Sequence, residues 1–209
     1  MGVAVQAATI KIHQSKLVSS GPLLITHWGL SGPCVLKLSA WGARELQERA
    51  YVFPIVVNWT GDKKEDEIRS CLQESRQHHT AKKIANTYTM QLTERLPMYI
   101  KSQSEINPDW RWSDLPTRQL NKLVQTVGAS VMQVQGKTTF KEEFVTAGGI
   151  DTREVDVQTM QSKIRSNLFF AGEILDVDGI TGGFNFQHAW TSGFIAAKSI
   201  AAASLQVND

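Results

Sequence analysis

The chain has 209 residues, of which 42% are hydrophobic and 20% charged, and its net charge is +2. Those proportions fit a soluble globular protein, long enough for one large domain or two small ones. So even a balance argues against a nucleic-acid or anionic-membrane partner, and no apolar run approaches the roughly 20 residues that cross a bilayer.

The opening MGVAVQAATIKIHQ alternates apolar and polar residues like a strand and lacks the pattern of a signal peptide. GPLLIT reads as a second strand after a polar turn. In THWGLSGPCVLKLSAWGARELQ, Gly29 and Gly32 permit a tight turn and Pro33 suits a first helical position. Val35, Leu36, Leu38 and Leu46 then fit an amphipathic helix. YVFPIVVNWTG returns to strand, with Pro54 predicting an edge or a bulge.

From about Asp62 the texture turns helical. Ile68, Cys71 and Leu72 recur at helical spacing, Ile84, Tyr88 and Leu92 continue it, and Pro97 opens or breaks a further helix. Leu120, Leu123, Val124 and Val127 mark one more helix before Gly128. Strand character resumes in SVMQVQG and FKEEFVTAGGI. Last come a short apolar strand, NLFFAGE, a glycine-rich loop, DVDGITGG, and a helix from about Phe184. Small residues dominate that helix (Ala189, Gly193, Ala196, Ala197, Ala201), predicting close approach of a backbone or a ligand. The economical reading is an α+β chain: a β domain from residues 1–61 and 131–158, an inserted helical domain at 62–130, and a third segment at 159–209.

Cys34 and Cys71 fit no metal spacing and read as buried thiols in a reducing cytoplasm, while His78 and His79 lack further ligands, so no metal is expected. Trp110 and Trp112 read as core cover, and His188 as a packing residue.

The string LFFAGEILDVDGITGGFNFQHAWTSG carries the chemistry. A strand ending in Gly172-Glu173 offers a carboxylate to ribityl hydroxyls. Gly182-Gly183 lets backbone pass close to a flat ring, and the helix starting near Phe184-Asn185 aims unpaired N–H groups at it. Such a helix terminus favours the negative charge that reduced flavin develops on its pyrimidine edge.

This string, with THWGLSGP at Thr26–Pro33 before it, resembles the BaiN/YhiN-like family of bacterial NAD(P)/FAD-dependent oxidoreductases, also called aminoacetone-oxidase-like flavoproteins. The resemblance covers nearly the whole chain. It implies a β-barrel-like domain, a helical domain inserted into it, and the C-terminal strand-loop-helix piece of a Rossmann-like FAD domain. It also implies FAD as cofactor, NAD(P)H as electron donor and a small-molecule acceptor. On the matching positions, Gly172 and Glu173 fall at the ribityl chain, and Gly182, Gly183, Phe184 and Asn185 at the pyrimidine edge. His27 and Ser31 are the candidates to face the ring from the barrel, His27 being the catalytic one. Asp176 and Asp178 match acidic loop positions without an assigned role.

The family's opening G-x-G-x-x-G phosphate loop is absent from this sequence. The expectation is therefore a C-terminal portion of such a flavoprotein, with weak or no FAD binding by the chain alone. Apolar surface left open at residues 159–209 would favour a homodimer. A non-catalytic binding module derived from such a flavoprotein is the alternative.

Overall fold

A computed structural model describes residues 2–87, 90, 92, 95–138, 145–180 and 182–206. The chain divides into two compact units, one from Met1–Leu38 with Leu46–Thr138, the other from Ser39–Glu45 with Thr139–Asp209.

The first unit is built on a five-stranded antiparallel sheet in the order β3-β2-β1-β4-β5, from β1 (Val3–Ile12), β2 (Val18–Ile25), β3 (Leu30–Ser31), β4 (Val52–Asn58) and β5 (Ser130–Gln135). In β1 the buried residues are Val5, Ala8, Ile10 and Ile12, so the alternation changes parity after Val5. The pairing explains this. Val5 faces Leu23 and Ala8 faces Gly21, which puts one extra β1 residue between the two pairs and returns the apolar side chains to the same face.

Pro54 corrects an expectation. β4 is not an edge strand, since it pairs with both β1 and β5. The β1–β4 ladder ends at Ile12–Ile55, and one step further in the same register His13 N–H donates to the Pro54 carbonyl at 3.0 Å. Pro54 has no N–H to return to the His13 carbonyl, so the proline stops the ladder there, and that carbonyl accepts from Arg49 Nη1 at 3.1 Å instead.

Helix α1 (Pro33–Trp41) begins at the predicted proline, and α2 (Ala43–Glu48) follows it across Gly42. Gly32, at φ +95°, sits so close to β2 that a Cβ there would meet Pro22 O and Leu24 N at 3.1 Å. The predicted apolar stripe is split over two short helices: Leu38 and Leu46 are buried, Val35 and Leu36 only half-buried, and Cys34, outside the predicted stripe, is buried with them.

Between β4 and β5 run α3 (Glu65–His78), a 3₁₀ turn at Ile84–Asn86, α4 (Arg95–Gln103), a second 3₁₀ turn at Trp112–Asp114, and α5 (Thr117–Gly128). Pro97 stands in the first turn of α4, where its missing N–H costs nothing. Ile84 begins a 3₁₀ turn rather than continuing a helix, and Tyr88 lies outside the described residues. All four predicted α5 residues are buried, and they share one core with Ile68 and Leu72 of α3 and with Phe53, Ile55 and Val57 of β4. Two tryptophans lock this core through polar ends. Trp59 Nε1 donates to Ser130 Oγ at 2.8 Å, and Trp112 Nε1 donates to Thr87 Oγ1 at 2.7 Å.

The second unit contains β6 (Val155–Asp156) paired with β7 (Gln161–Ser162), 3₁₀ turns at Thr152–Glu154 and Gly172–Ile174, and the long α6 (Phe184–Gln206). NLFFAGE does not form the predicted ladder strand. Phe169 makes an isolated bridge to Gln161, and Leu175 a parallel bridge to Ile150. An extended segment becomes a sheet strand only where a neighbour pairs with it. Most of FKEEFV, at residues 140–144, lies outside the described residues. The unit's core is small, with Val155, Met160, Leu175 and Ala196 fully buried.

Candidate functional site

Within the second unit the glycine-rich loop is fastened at three points. Ala171 is extended, and Gly172, at φ +75°, turns the chain into the 3₁₀ turn that carries Glu173. Gly172 N–H donates to Ser192 Oγ at 2.9 Å, while that hydroxyl donates to the His188 carbonyl at 2.7 Å. Ala189 meets the position where a Gly172 Cβ would stand at 3.9 Å. That is ordinary van der Waals contact, so the small residues of α6 admit no unusually close backbone at Ala189, while Ala197 and Ala201 are exposed and nothing lies within 4 Å of a Cβ built at Gly193.

The second fastening is ionic. Arg44 donates to both Asp176 oxygens at 2.8 and 2.6 Å, a fork-on-carboxylate pair, and the carboxylate in turn raises the arginine pKa. This gives Asp176 a structural task the sequence left unassigned. The third is the Asn185 side chain, which bonds both the N–H and the C=O of Gly179.

The loop ends in Gly182 (φ +118°) and Gly183 (φ +94°), both exposed. Nothing stands within 4 Å of a Cβ built on Gly183, and only a Phe184 ring carbon reaches 3.9 Å from one on Gly182. The first bond of α6 runs from Gln187 N–H to the Gly183 carbonyl at 2.9 Å, so the amides of Phe184, Asn185 and Phe186 precede the helical ladder. A helix of 23 residues presents about half a positive charge at that end. Exposed Glu173, an open glycine turn and a helix N-terminus thus lie along one stretch of chain. That arrangement fits a flat heteroaromatic ring with an anionic edge and a hydroxylated side chain.

Of the remaining candidates, His27 is exposed in the β2–β3 turn of the first unit. That turn is held by Thr26, whose N–H and Oγ1 both donate to the Gly29 carbonyl at 2.8 and 3.1 Å. Cys34 is fully buried with Sγ 3.2 Å from the Ser19 carbonyl, and burial pushes its thiol pKa up, as expected of an inert thiol. Sequence reasoning missed Arg44 and Ser192, because each acts through a residue distant in sequence. The Nε2 atom of His188 is buried and has no hydrogen-bond partner among the described residues.

Residues 1–145 match the family model described as the HI0933-like protein barrel and H2TH domain. The chain belongs to this HI0933-like family. The matched span takes in the five-stranded sheet and the helices α3 to α5. Among curated relatives, the chain is 34% identical over 182 residues to the ribosomal RNA dihydrouridine synthase of Escherichia coli (strain K12), covering 87% of this chain and 42% of that protein. It is 32% identical over 179 residues to the enzyme of the same name from Haemophilus influenzae, covering 85% and 42%. It is 26% identical over 182 residues to the 3-dehydro-bile acid delta(4,6)-reductase of Clostridium scindens, covering 87% and 44%. The chain therefore spans less than half the length of these relatives. Among the described residues of this HI0933-like chain, no helix is long and apolar enough to cross a membrane.

Proposed function

We propose that this HI0933-like chain is the acceptor-side portion of a flavin-dependent reductase of the BaiN/YhiN-like type, carrying the flavin-facing half of an FAD site. The observation that carries the reading is the open Gly182-Gly183 turn at the start of α6, with Glu173 exposed on the preceding turn. In this reading Gly182, Gly183 and the amides of Phe184 and Asn185 hold the pyrimidine edge, and Gly172 and Glu173 hold the ribityl chain. Bound flavin supplies hydride transfer, taking a hydride from NAD(P)H and delivering one to the acceptor. The helix terminus favours negative charge at the pyrimidine edge and so stabilises the reduced form.

The names of the relatives support an acceptor class. Forming dihydrouridine saturates the uracil C5–C6 bond, which is conjugated to a carbonyl, and a 3-dehydro delta(4,6) bile acid holds a conjugated dienone. In both, hydride adds to the carbon remote from the carbonyl and a proton to its neighbour. His27, exposed on its tight turn, is the proposed source of that proton.

The first measurement is the visible absorbance of the purified chain, alone and with added FAD, looking for flavin bands near roughly 370 and 450 nm. The sequence holds no G-x-G-x-x-G loop for the pyrophosphate, so the chain alone is expected to stay colourless or bind FAD weakly. The decisive test is a chimera in which this chain replaces the matching span of the Escherichia coli relative. The expected chimera is yellow and oxidises NAD(P)H when offered uridine-containing ribosomal RNA or a 3-oxo-delta(4,6) steroid, while its Gly183→Val variant is colourless. A yellow chimera that reduces neither acceptor would overturn the reductase reading in favour of a non-catalytic module.

A further inference from the structure

The first unit concentrates positive charge at the β1–β2 hairpin end of its sheet, where three segments meet. Arg49 Nη2 donates to the Gln14 carbonyl in the hairpin turn at 3.2 Å. Gly136 N–H donates to the Tyr51 carbonyl at 2.8 Å, and Lys137 Nζ stands 5.2 Å from the centre of the Tyr51 ring. Lys16 is exposed in the hairpin turn, and Lys11 is exposed on β1 between buried Ile10 and Ile12, so it stands on the outward face of the sheet. Residues 11–18, 47–52 and 133–138 thus bring together Lys11, Lys16, Arg49 and Lys137, with Glu48 as the only carboxylate of those segments. That excess of positive charge is larger than the net charge of the entire chain, +2.

The same outward face leads to His27. Along β2, Val18, Ser20, Pro22 and Leu24 are exposed, and on this face the hydroxyls of Thr9 and Ser20 bond at 2.6 Å. The 8 residues of β2 place the cationic end about 25 Å from the His27 turn, at about 3.3 Å per residue. A steroid nucleus at His27 ends well short of that distance. An RNA does not, because a uracil presented for reaction leaves the base stack while phosphates still join it to its neighbours. We propose that this end of the sheet holds the phosphate backbone of a single-stranded RNA whose reacting uracil lies at the His27 turn, with Lys11, Lys16, Arg49 and Lys137 as the phosphate partners. The inference rests on the reductase reading, and it selects RNA over a steroid as the acceptor. Lysines suit such a contact as point charges that neutralise phosphates and release condensed counterions without reading sequence. Arg49, bonded to the carbonyls of His13 and Gln14, keeps its charge fixed at the turn.

The test reads binding by the whole chain, without flavin or turnover, from the fluorescence anisotropy of a labelled oligouridylate. A length of about ten nucleotides lies within the usual single-strand site sizes of roughly 4–16. The logarithm of affinity should fall with the logarithm of salt concentration with a slope of about −0.7 per phosphate contact, near −3 for these cations together. Lys11→Gln combined with Lys16→Gln should weaken binding at least about tenfold and make the slope shallower by about 1.4. Lys82→Gln combined with Arg118→Gln removes the same charge from exposed positions of the helical segment and should change neither. Equal losses in the two double variants would overturn the proposal, as would binding that is absent or insensitive to salt. Equal retention on vesicles of phosphatidylserine and phosphatidylcholine would overturn it in favour of a membrane surface. In the chimera with the Escherichia coli relative, turnover of the steroid but not of RNA would overturn it and leave the reductase reading standing. A chimera that reduces neither acceptor but binds RNA with the expected salt slope would sink that reading and keep the phosphate surface.

Discussion

The carboxamide of Asn185 clasps the peptide unit of Gly179, accepting its N–H at 2.7 Å and donating to its carbonyl at 3.2 Å. A side chain in the first turn of α6 thereby fixes the far end of the glycine-rich loop. Its amide group is engaged in that clasp, so in the proposed flavin site only the backbone N–H of Asn185 is left to face the ring.

Asn185→Ala removes both bonds. The loop is only half-buried, so the expected loss is about 1 kcal/mol, read by urea unfolding. The Gly179 amide should exchange with solvent faster, while amides in α5 keep their rates. Unchanged exchange at Gly179 would show that the loop holds its shape without the clasp.

Gly149 and Gly148 are neighbours with opposite expected sensitivities. Both have positive φ, +143° and +114°. A Cβ on Gly149 would stand 2.6 Å from Ile174 O and 2.8 Å from Asp176 N, against the segment that bonds Ile150. A Cβ on Gly148 would meet nothing within 4 Å. Gly148→Ala should cost about 1 kcal/mol of backbone strain. Gly149→Ala should cost about 3 kcal/mol or more, because backbone atoms cannot move aside as a flexible side chain does. Comparable melts for the two variants would contradict this.

Asp151 and Arg153 form a local ion pair in which the guanidinium, with the Arg153 N–H, holds the aspartate pKa down at about 2. A carboxylate with a depressed folded pKa contributes stability that is fully present above the unfolded value, about 3.9, and fades as the pH falls toward the folded one. Both groups are solvent-facing, so the contribution should be small and sensitive to salt. Arg153→Leu should move the Asp151 carboxyl titration, followed by carbon-13 NMR, upward by more than one pH unit. A wild-type midpoint near 3.9 would remove the basis for this.

Lys101 on α4 gathers the carbonyls of Ile84, Ala85 and Thr87 at 2.7, 3.2 and 2.8 Å. It caps the 3₁₀ turn that seats Ile84 in the core. Lys101→Met removes all three bonds, leaving the Ile84 carbonyl to Thr87 N–H and Oγ1, and should cost about 2 kcal/mol in urea unfolding. Burial pushes the lysine pKa down. Between that lowered value and the ordinary one the unfolded chain binds more protons, so stability from this site rises with pH. The stability difference between wild type and Lys101→Met should therefore widen as the pH is raised toward about 10. A difference that shrinks over that range would count against it.

Much of the first unit was legible because its signals are local. The α5 stripe of Leu120, Leu123, Val124 and Val127 is a one-sided helical pattern, and all four residues are buried. Pro33 at the head of α1 and, in the second unit, the start of α6 at Phe184 follow from the backbone chemistry of proline and glycine. Pro54 misled because whether a strand is central or an edge depends on which strands flank it, a matter the strand's own residues do not encode.

The sequence by itself determined where α5 and α6 form and which glycines make the turn before α6, because periodicity and backbone permissiveness act over a few residues. Only the tertiary structure decided that one extra residue in β1 rephases Val5 with Ala8, that Arg44 binds Asp176, and that Asn185 clasps Gly179. It alone shows that, among the described residues, NLFFAGE pairs through a single bridge and His188 keeps a buried nitrogen without a partner. The physical reason is common to these cases. Hydrogen bonds and ion pairs between segments depend on which groups the folded chain brings within about 3 Å, and a linear pattern carries no such distances.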